Sequence, residues 1–312
     1  MRSMARETFL TPGNLVLPLF LQDGENKRTP IAAMPGQARL SVDLAVALAR
    51  EAFDLGVPAV ELFPALPEES KDPRGSESTN EAGLMQRAIR SLKRALPELL
   101  VCTDVALDPY SSDGHDGVVI DGRIDNDVTL PILAAMAVSH AQAGADIVAP
   151  SDMMDGRVRA IREALDAAGH QTVSILSYCV KYASAFYGPF REALDSAPRS
   201  GDKKTYQMDP ANFREVEREV RLDEAEGADI LMVKPGLPYA DVIRRVRELT
   251  ALPVAVYHVS GEYTMLKLAA ERGYLDYDRC LMESLLCLRR AGADVIFTYG
   301  ALDAARLLAA QK

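Results

Sequence analysis

Eight short runs rich in Val, Ile and Leu punctuate the chain. They are "NLVLPLF" (14–20), "VPAVELF" (57–63), "ELLVCTDVAL" (98–107), "ADIVAPS" (145–151), "TVSILSYCV" (172–180), "ADILMVK" (228–234), "LPVAVYHV" (252–259) and "ADVIFTY" (293–299). The runs are nearly continuous rather than alternating, as parallel strands covered on both faces should be. Segments with helical spacing lie between most of them. "SVDLAVALAREAFDLG" (41–56) opens on Ser and stops at Gly, and "NEAGLMQRAIRSLKRALP" (80–97) stops at Pro. "DGRVRAIREALDAAG" (155–169) ends at Gly, and "PYADVIRRVRELT" (238–250) carries Pro in its first turn. A Gly-Ala-Asp triplet introduces three of the runs, at 144–146, 227–229 and 292–294. Eight strands alternating with helices predict an α/β protein of the (β/α)8 TIM-barrel class. A doubly wound sheet is the alternative, but no GxGxxG follows the first strand.

No linker-like segment divides the chain, so a single barrel domain is expected over 1–312, with a short N-terminal arm over 1–13. The interval 181–227 is longer than one helix needs. Its middle, "SAPRSGDKKTYQMDPAN" (196–212), is rich in Ser, Pro, Gly, Asp and Lys. Long loops in compact domains usually serve function, so an active-site lid is expected over about 185–212.

The chain has 312 residues, 48% hydrophobic and 26% charged, ordinary values for a globular enzyme. A net charge of −10 argues against binding nucleic acid through its phosphates. The N-terminal "MRSMARETFLTPGN" has no apolar core, and no run reaches the roughly 18 residues of a membrane span. No membrane association and a cytoplasmic location are therefore expected. Cys102, Cys179, Cys280 and Cys287 form no CxxC pair and read as core thiols rather than a disulfide framework.

Barrel enzymes keep their chemistry at the C-terminal strand ends. Here those ends carry Asp104 and Asp108, Ser151 and Asp152, Lys181, Lys234, Ser260 and Tyr299, on strands three to eight in turn. A lysine there can bind an anion, decorate the surface, or attack a carbonyl as a neutral amine. The last role needs a lowered pKa, which burial or a second ammonium nearby supplies. Strands five and six should pair, bringing Lys181 and Lys234 together. Arg191, Lys203 and Lys204, on or beside the lid, suit a small carboxylate or phosphate, or else a solvated loop face.

Five stretches, "SDMMDGRV" (151–158), "KYASAFYGPFR" (181–191), "YQMDPAN" (206–212), "MVKPGLPY" (232–239) and "YHVSGEY" (257–263), together resemble the porphobilinogen synthase (5-aminolaevulinate dehydratase) family. The likeness runs from "RETFLTPGNLVLPLF" (6–20) to "AGADVIFTY" (291–299). The resemblance implies a barrel hydro-lyase that condenses two 5-aminolaevulinate molecules to porphobilinogen plus two waters, an early step of tetrapyrrole (haem) synthesis. It makes Lys234 the Schiff-base lysine for the first (P-side) substrate and Lys181 the one for the second (A-side). Arg191 and Lys203 would hold the A-side carboxylate, Ser260 and Tyr299 the P-side carboxylate. Asp104 would handle protons near the amino groups. A class I aldolase-like lyase, needing one Schiff-base lysine, is the alternative, and a catalytically dead binding barrel a third reading.

For metal, zinc-type members carry three cysteines in a segment like "DVALDPYSSDGHDG" (104–117), whereas here Ala106, Asp108 and Asp116 stand in those places. The resemblance therefore implies the aspartate-rich class: no zinc, no organic cofactor, and Asp108 with Asp116 as candidate ligands of a magnesium or monovalent cation. His115 is expected to hydrogen-bond a carboxylate. Glu219 in "VEREVR" would hold a separate allosteric magnesium. Cys179 and Val180 depart from the Ser and Ala usual before the A-side lysine. A homo-oligomer is implied, an octamer first, with a hexamer or dimer as alternatives.

Overall fold

In the computed structural model, Met1 and residues 4–194 and 198–310 are described. The lid expected over about 185–212 therefore has its residues 195–197 outside the described residues. Eight parallel strands form the barrel: β1 (Leu15–Leu21), β2 (Ala59–Pro64), β3 (Leu100–Val105), β4 (Ile147–Pro150), β5 (Ser174–Lys181), β6 (Ile230–Lys234), β7 (Val254–His258) and β8 (Val295–Thr298). They pair in sequence order, and β8 closes the ring on β1 through Leu15 opposite Ile296 and Val16 opposite Phe297. Each coincides with one of the eight apolar runs, starting one or two residues later because the flanking residues make the turns, while β1, β2 and β5 run one residue past their ends, to Leu21, Pro64 and Lys181.

Ten α-helices are described: α1 (Val42–Asp54), α2 (Leu84–Ala95), α3 (Asn126–Ala143), α4 (Arg157–Ala167), α5 (Gly188–Leu194), α6 (Glu215–Ala225), α7 (Ala240–Leu249), α8 (Ser260–Glu271), α9 (Tyr277–Ala291) and α10 (Ala301–Ala309). The helix expected from residue 80 begins only at Leu84, since the Asn80 side chain accepts the Ala82 N–H at 2.9 Å and holds the chain in a turn. Among the described residues, no helix is long and apolar enough to cross a membrane.

The pleat divides the strand side chains into two packed sets. Val16, Phe20, Phe63, Tyr178, Met232 and Tyr257 belong to the barrel interior. Leu17, Leu19, Val60, Leu62, Val148 and Val256 pack outward with the helices. Burial on both sides explains why the runs read as continuous.

The repeated Gly-Ala-Asp triplets have a common structural job. Gly144, Gly227 and Gly292 turn the chain from helix to strand at φ of 108°, 103° and 130°, in the left-handed region that side chains disfavour. The aspartate then accepts the first free N–H of the preceding strand. Asp146 Oδ2 takes it from Val101 at 2.8 Å, Asp229 Oδ2 from Ile175 at 2.8 Å, and Asp294 Oδ2 from Val254 at 3.0 Å. The triplets are stitches across the floor of the barrel and carry no chemistry.

Two short hairpins were not anticipated from the sequence. Arg28–Pro30 pairs antiparallel with Ala38–Leu40 and extends the sheet beside β1, and Val118–Ile120 pairs with Arg123–Asp125. The second turns through Asp121 and Gly122 at φ of 49° and 74°. Asp-Gly between apolar residues is the usual signal for such a turn. The segment expected to form a lid is tied down at several points: Met208 N–H bonds the Lys181 carbonyl at 2.9 Å and its own carbonyl accepts from Ala183 at 2.8 Å, while Arg199 N–H reaches Asp113 O at 3.0 Å.

At the start of the lid, α8 packs on the Ala185–Tyr187 turn through glycine. A Cβ added at Gly261 would fall 2.5 Å from the Phe186 carbonyl oxygen and 3.0 Å from its Cα, both backbone atoms. Gly261→Ala is expected to cost about 1–3 kcal/mol through this overpacking. Thermal unfolding and limited proteolysis of the lid would check it; an unshifted midpoint with an uncut lid would refute the contact.

Candidate active site

Lys181 and Lys234 are the last residues of β5 and β6 and stand opposite each other in register. A bulge makes this pairing face the right way. Leu231 pairs with Ser177, but two residues later Val233 pairs with Val180, so β5 carries one extra residue. Tyr178 points into the barrel, while Cys179 and Val180 both pack outward. The extra residue returns the next position, Lys181, to the interior. Without the bulge, strict alternation would turn Lys181 away from the barrel. The departures at Cys179 and Val180 are thus packing positions, with Cys179 Sγ donating to Met232 O at 3.6 Å.

Lys234 lies among aromatic rings. Its Nζ is 4.4 Å from the Tyr257 ring centre, 5.0 Å from Tyr178, 5.2 Å from Phe190 and 5.4 Å from Tyr187. Burial, and after it the Lys181 ammonium, bring Lys234 down to about 8. A useful fraction is then neutral amine near neutral pH. Lys181 Nζ donates to the Ser151 carbonyl and stands 3.8 Å from Asp116 Oδ2. Asp104 projects from β3, where Ser151 Oγ donates to its Oδ1 at 2.6 Å. Burial, and then the Asp108 carboxylate, push Asp104 up to about 7, so it can give or take a proton near neutrality.

The cation expected between Asp108 and Asp116 meets a different arrangement. Lys203 Nζ from the lid donates to Asp108 Oδ2 at 3.0 Å and to Asp116 Oδ1 at 2.7 Å. Burial alone would lower Lys203, but Asp108 and Asp116 outweigh it and hold the ammonium above its usual range. Burial pushes Asp108 up; at Asp116 burial is again the largest cause, but the Lys203 and Lys181 charges with the hydrogen bonds to it together outweigh burial and bring it down. Among the described residues, no group of three or more His, Cys, Asp or Glu side chains is placed to hold a metal. The donor set does not fit an active-site metal, because the protein's own ammonium already lies between the two carboxylates. Lys203 itself, expected to hold a substrate carboxylate, is engaged internally. His115 was expected to bond a carboxylate. It instead contacts Ser200 O at 2.9 Å through Nε2 and Tyr206 Oη at 3.2 Å through Nδ1, pinning the lid.

Tyr299 joins the lysine pocket through Tyr257, whose hydroxyl donates to the Tyr299 oxygen at 3.2 Å, and Ser260 Oγ accepts the Phe190 N–H at 3.1 Å. Arg191 is exposed on α5, and Glu219 is half-buried on α6. Two acidic residues were missed from sequence. Glu262 Oε2 accepts the N–H of Val259 at 2.6 Å and of Gly236 at 3.3 Å, and its Oε1 accepts that of Leu237. It ties the turn after Lys234 to the turn before Ser260. Glu61 lies wholly buried in the barrel and accepts the Tyr178 hydroxyl at 2.7 Å on Oε1. A lone charged residue inside the apolar run "VPAVELF" was the available signal.

The profile of a family described as Delta-aminolevulinic acid dehydratase matches residues 1–307. The chain belongs to this family. Two relatives are chloroplastic delta-aminolevulinic acid dehydratases. The Glycine max protein is 59% identical over 314 residues, covering 100% of this chain and 76% of its own length. The Pisum sativum protein is 59% identical over 317 residues, covering 100% of this chain and 79% of its own. A crystal structure of the Toxoplasma gondii ME49 delta-aminolevulinic acid dehydratase (porphobilinogen synthase), in complex with the reaction product porphobilinogen, is 53% identical. It superposes with a TM-score of 0.98 over 100% of this chain and 89% of that one. The expected cytoplasmic location is corrected by these dehydratases: such relatives carry chloroplastic names and point to a plastid. Plastid-targeting sequences are amphipathic rather than apolar, so the lack of an apolar N-terminal core was no guide.

The Lys203 bridge generates a stability prediction for this dehydratase. Lys203→Met leaves buried Asp108 without its bonded cation and Asp116 with only Lys181 at 3.8 Å, and is expected to cost about 3–5 kcal/mol. Adding Asp116→Asn should recover part of the loss. Urea unfolding of both variants checks it; a cost below about 1 kcal/mol would place Lys203 in solvent.

Proposed function

We infer that the protein is a porphobilinogen synthase whose two strand-end lysines each capture one substrate ketone. Two molecules of 5-aminolaevulinate become porphobilinogen with loss of two waters, a hydro-lyase step of porphyrin biosynthesis. One observation carries the assignment of roles: Lys181 and Lys234 end adjacent strands in register, with both amines near the Tyr178 ring. Lys234, brought down to about 8 among aromatic rings, is the better prepared nucleophile and is assigned to the P-side substrate. Lys181, facing Asp116 and Ser151, is assigned to the A-side. Asp104, poised near 7, moves protons at the amino groups. Ser260 and Tyr299 are assigned to the P-side carboxylate, and Arg191 with Lys203 to the A-side carboxylate. Lys203 would exchange an aspartate for substrate when it acts. A single-lysine aldolase-like mechanism leaves the second buried amine without a task.

For regulation, the reading keeps magnesium at Glu219 and a homo-oligomer, with an octamer first and a hexamer or dimer as alternatives. Magnesium uses one or two carboxylates and retains several waters, which suits a half-buried glutamate; zinc would want sulfur and nitrogen. The Glu219 carboxyl is pushed up by burial and then by Asp223. Asp223 in turn pairs with buried Arg157, whose guanidinium donates to Ser177 Oγ on β5 at 2.9 Å. This charge chain ends behind the strand that carries Lys181. Magnesium bound there would favour a positioned β5 without entering the reaction.

Borohydride reduction in the presence of 5-aminolaevulinate is expected to attach substrate mass to Lys234 and, at higher occupancy, to Lys181. Lys234→Met should lower turnover to the assay background, measured by the colour of the pyrrole product. Normal activity in that variant would sink the mechanism. For the metal, magnesium should raise activity and enlarge the particle in sedimentation, since a ligand of the assembled form shifts the population toward it. Glu219→Ala should lose both responses and keep a basal rate. Stoichiometric zinc, removed together with activity, would overturn this metal assignment.

A further inference from the structure

Glu61 is an anomaly in the barrel. It sits on β2 at 0% exposure, in the interior where the neighbouring strand positions are apolar or aromatic. A carboxyl at that depth is costly unless it is fully bonded or neutral. Only Oε1 has a partner, the Tyr178 hydroxyl at 2.7 Å, while Oε2 is buried with none among the described residues. The ring of the same Tyr178 lies 5.0 Å from Lys234 Nζ and 5.9 Å from Lys181 Nζ. A purely structural glutamate would have both oxygens bonded, as Glu262 does.

We propose that Glu61 is a positioning residue for the amine of Lys234: through Tyr178 it fixes an aromatic wall of the lysine pocket, and its charge decides how readily Lys234 gives up its proton. This role rests on the assignment of Lys234 as a Schiff-base nucleophile. Burial, and then Asp104 on β3, push the Glu61 carboxyl up to about 8, beside an amine brought down to about 8. The charge of each group therefore acts on the proton of the other. Other titratable groups face them. Asp104, Asp108 and Lys181 act on Lys234, and Tyr178, Lys181 and Asp104 act on Glu61. The Tyr257 and Tyr299 phenols, both raised by burial first, and the buried Cys102 thiol stay neutral. The sign follows from charge. Ionised Glu61 favours the ammonium form of Lys234, and neutral Glu61 releases the amine for attack.

The test is the pH dependence of single-turnover borohydride trapping at Lys234, located by mass spectrometry, in the unaltered protein, Glu61→Gln and Tyr178→Phe. Glu61→Gln removes the carboxylate that holds the proton on Lys234, so the rising limb of the rate should move about one pH unit toward acid. Tyr178→Phe removes the hydrogen bond that favours ionised Glu61 and should move it the same way, by less. A residue that only packs would lower the rate at every pH and leave the limb in place. An unmoved limb, or one moved toward alkali, in Glu61→Gln overturns the role, and in Tyr178→Phe it does so even if Glu61→Gln fails to fold. Absence of substrate mass on Lys234 in the unaltered protein would overturn the nucleophile assignment as well, whereas trapping with an unmoved limb overturns Glu61 alone.

Discussion

Placing an ammonium inside an apolar barrel is costly unless it loses its proton or finds a counter-charge. The chain uses both solutions. Lys203 comes in on the lid and is held by Asp108 and Asp116, so it stays charged. Lys234 has aromatic faces instead of a bonded carboxylate, with a second ammonium nearby, and is brought down to about 8. The difference between an amine that stays charged and one ready to lose its proton is thus made by what stands against each. The low dielectric that creates the distinction comes from strands buried on both faces.

Geometry then follows from the ends of the strands. The extra residue in β5 sets Tyr178 and Lys181 on the same interior face, three positions apart. Glu262 holds the turns after β6 and β7 together, so Lys234 and Ser260 are placed by one carboxylate. The lid is bonded to the loop after β3 through His115, Tyr206 and Lys203. The segment that carries Lys203 thus neutralises Asp108 and Asp116 where it docks on the loop after β3. Family membership fits this arrangement, since two substrate ketones call for two amines that are near each other yet differently surrounded.

Several elements were legible in the order of the residues alone. The eight apolar runs became eight strands because continuous burial leaves a one-dimensional trace. The Ser41 start and the stops at Gly and Pro were similarly local, whereas Pro238 falls in a short turn before the helix that begins at Ala240. Placing Lys181 and Lys234 together needed only the rule that consecutive strands of a barrel pair. The five motif stretches carried the family, and the dehydratase profile agrees over residues 1–307.

Other features depend on partners far away along the chain. Nothing local says that Lys203 will meet Asp108 and Asp116, 95 and 87 positions earlier, rather than a metal or solvent. The bulge that turns Lys181 inward is defined only against β6, because a strand has no register by itself. Glu61 was visible as one acid in an apolar run. Its single bond to Tyr178, 117 positions later, exists only once β2 and β5 face each other across the closed barrel. Sequence by itself determined which residues are strand ends and which family they belong to, since periodicity and motifs are properties of neighbours. The tertiary structure decided which charges stand against which, because electrostatic energy depends on distance and burial in space.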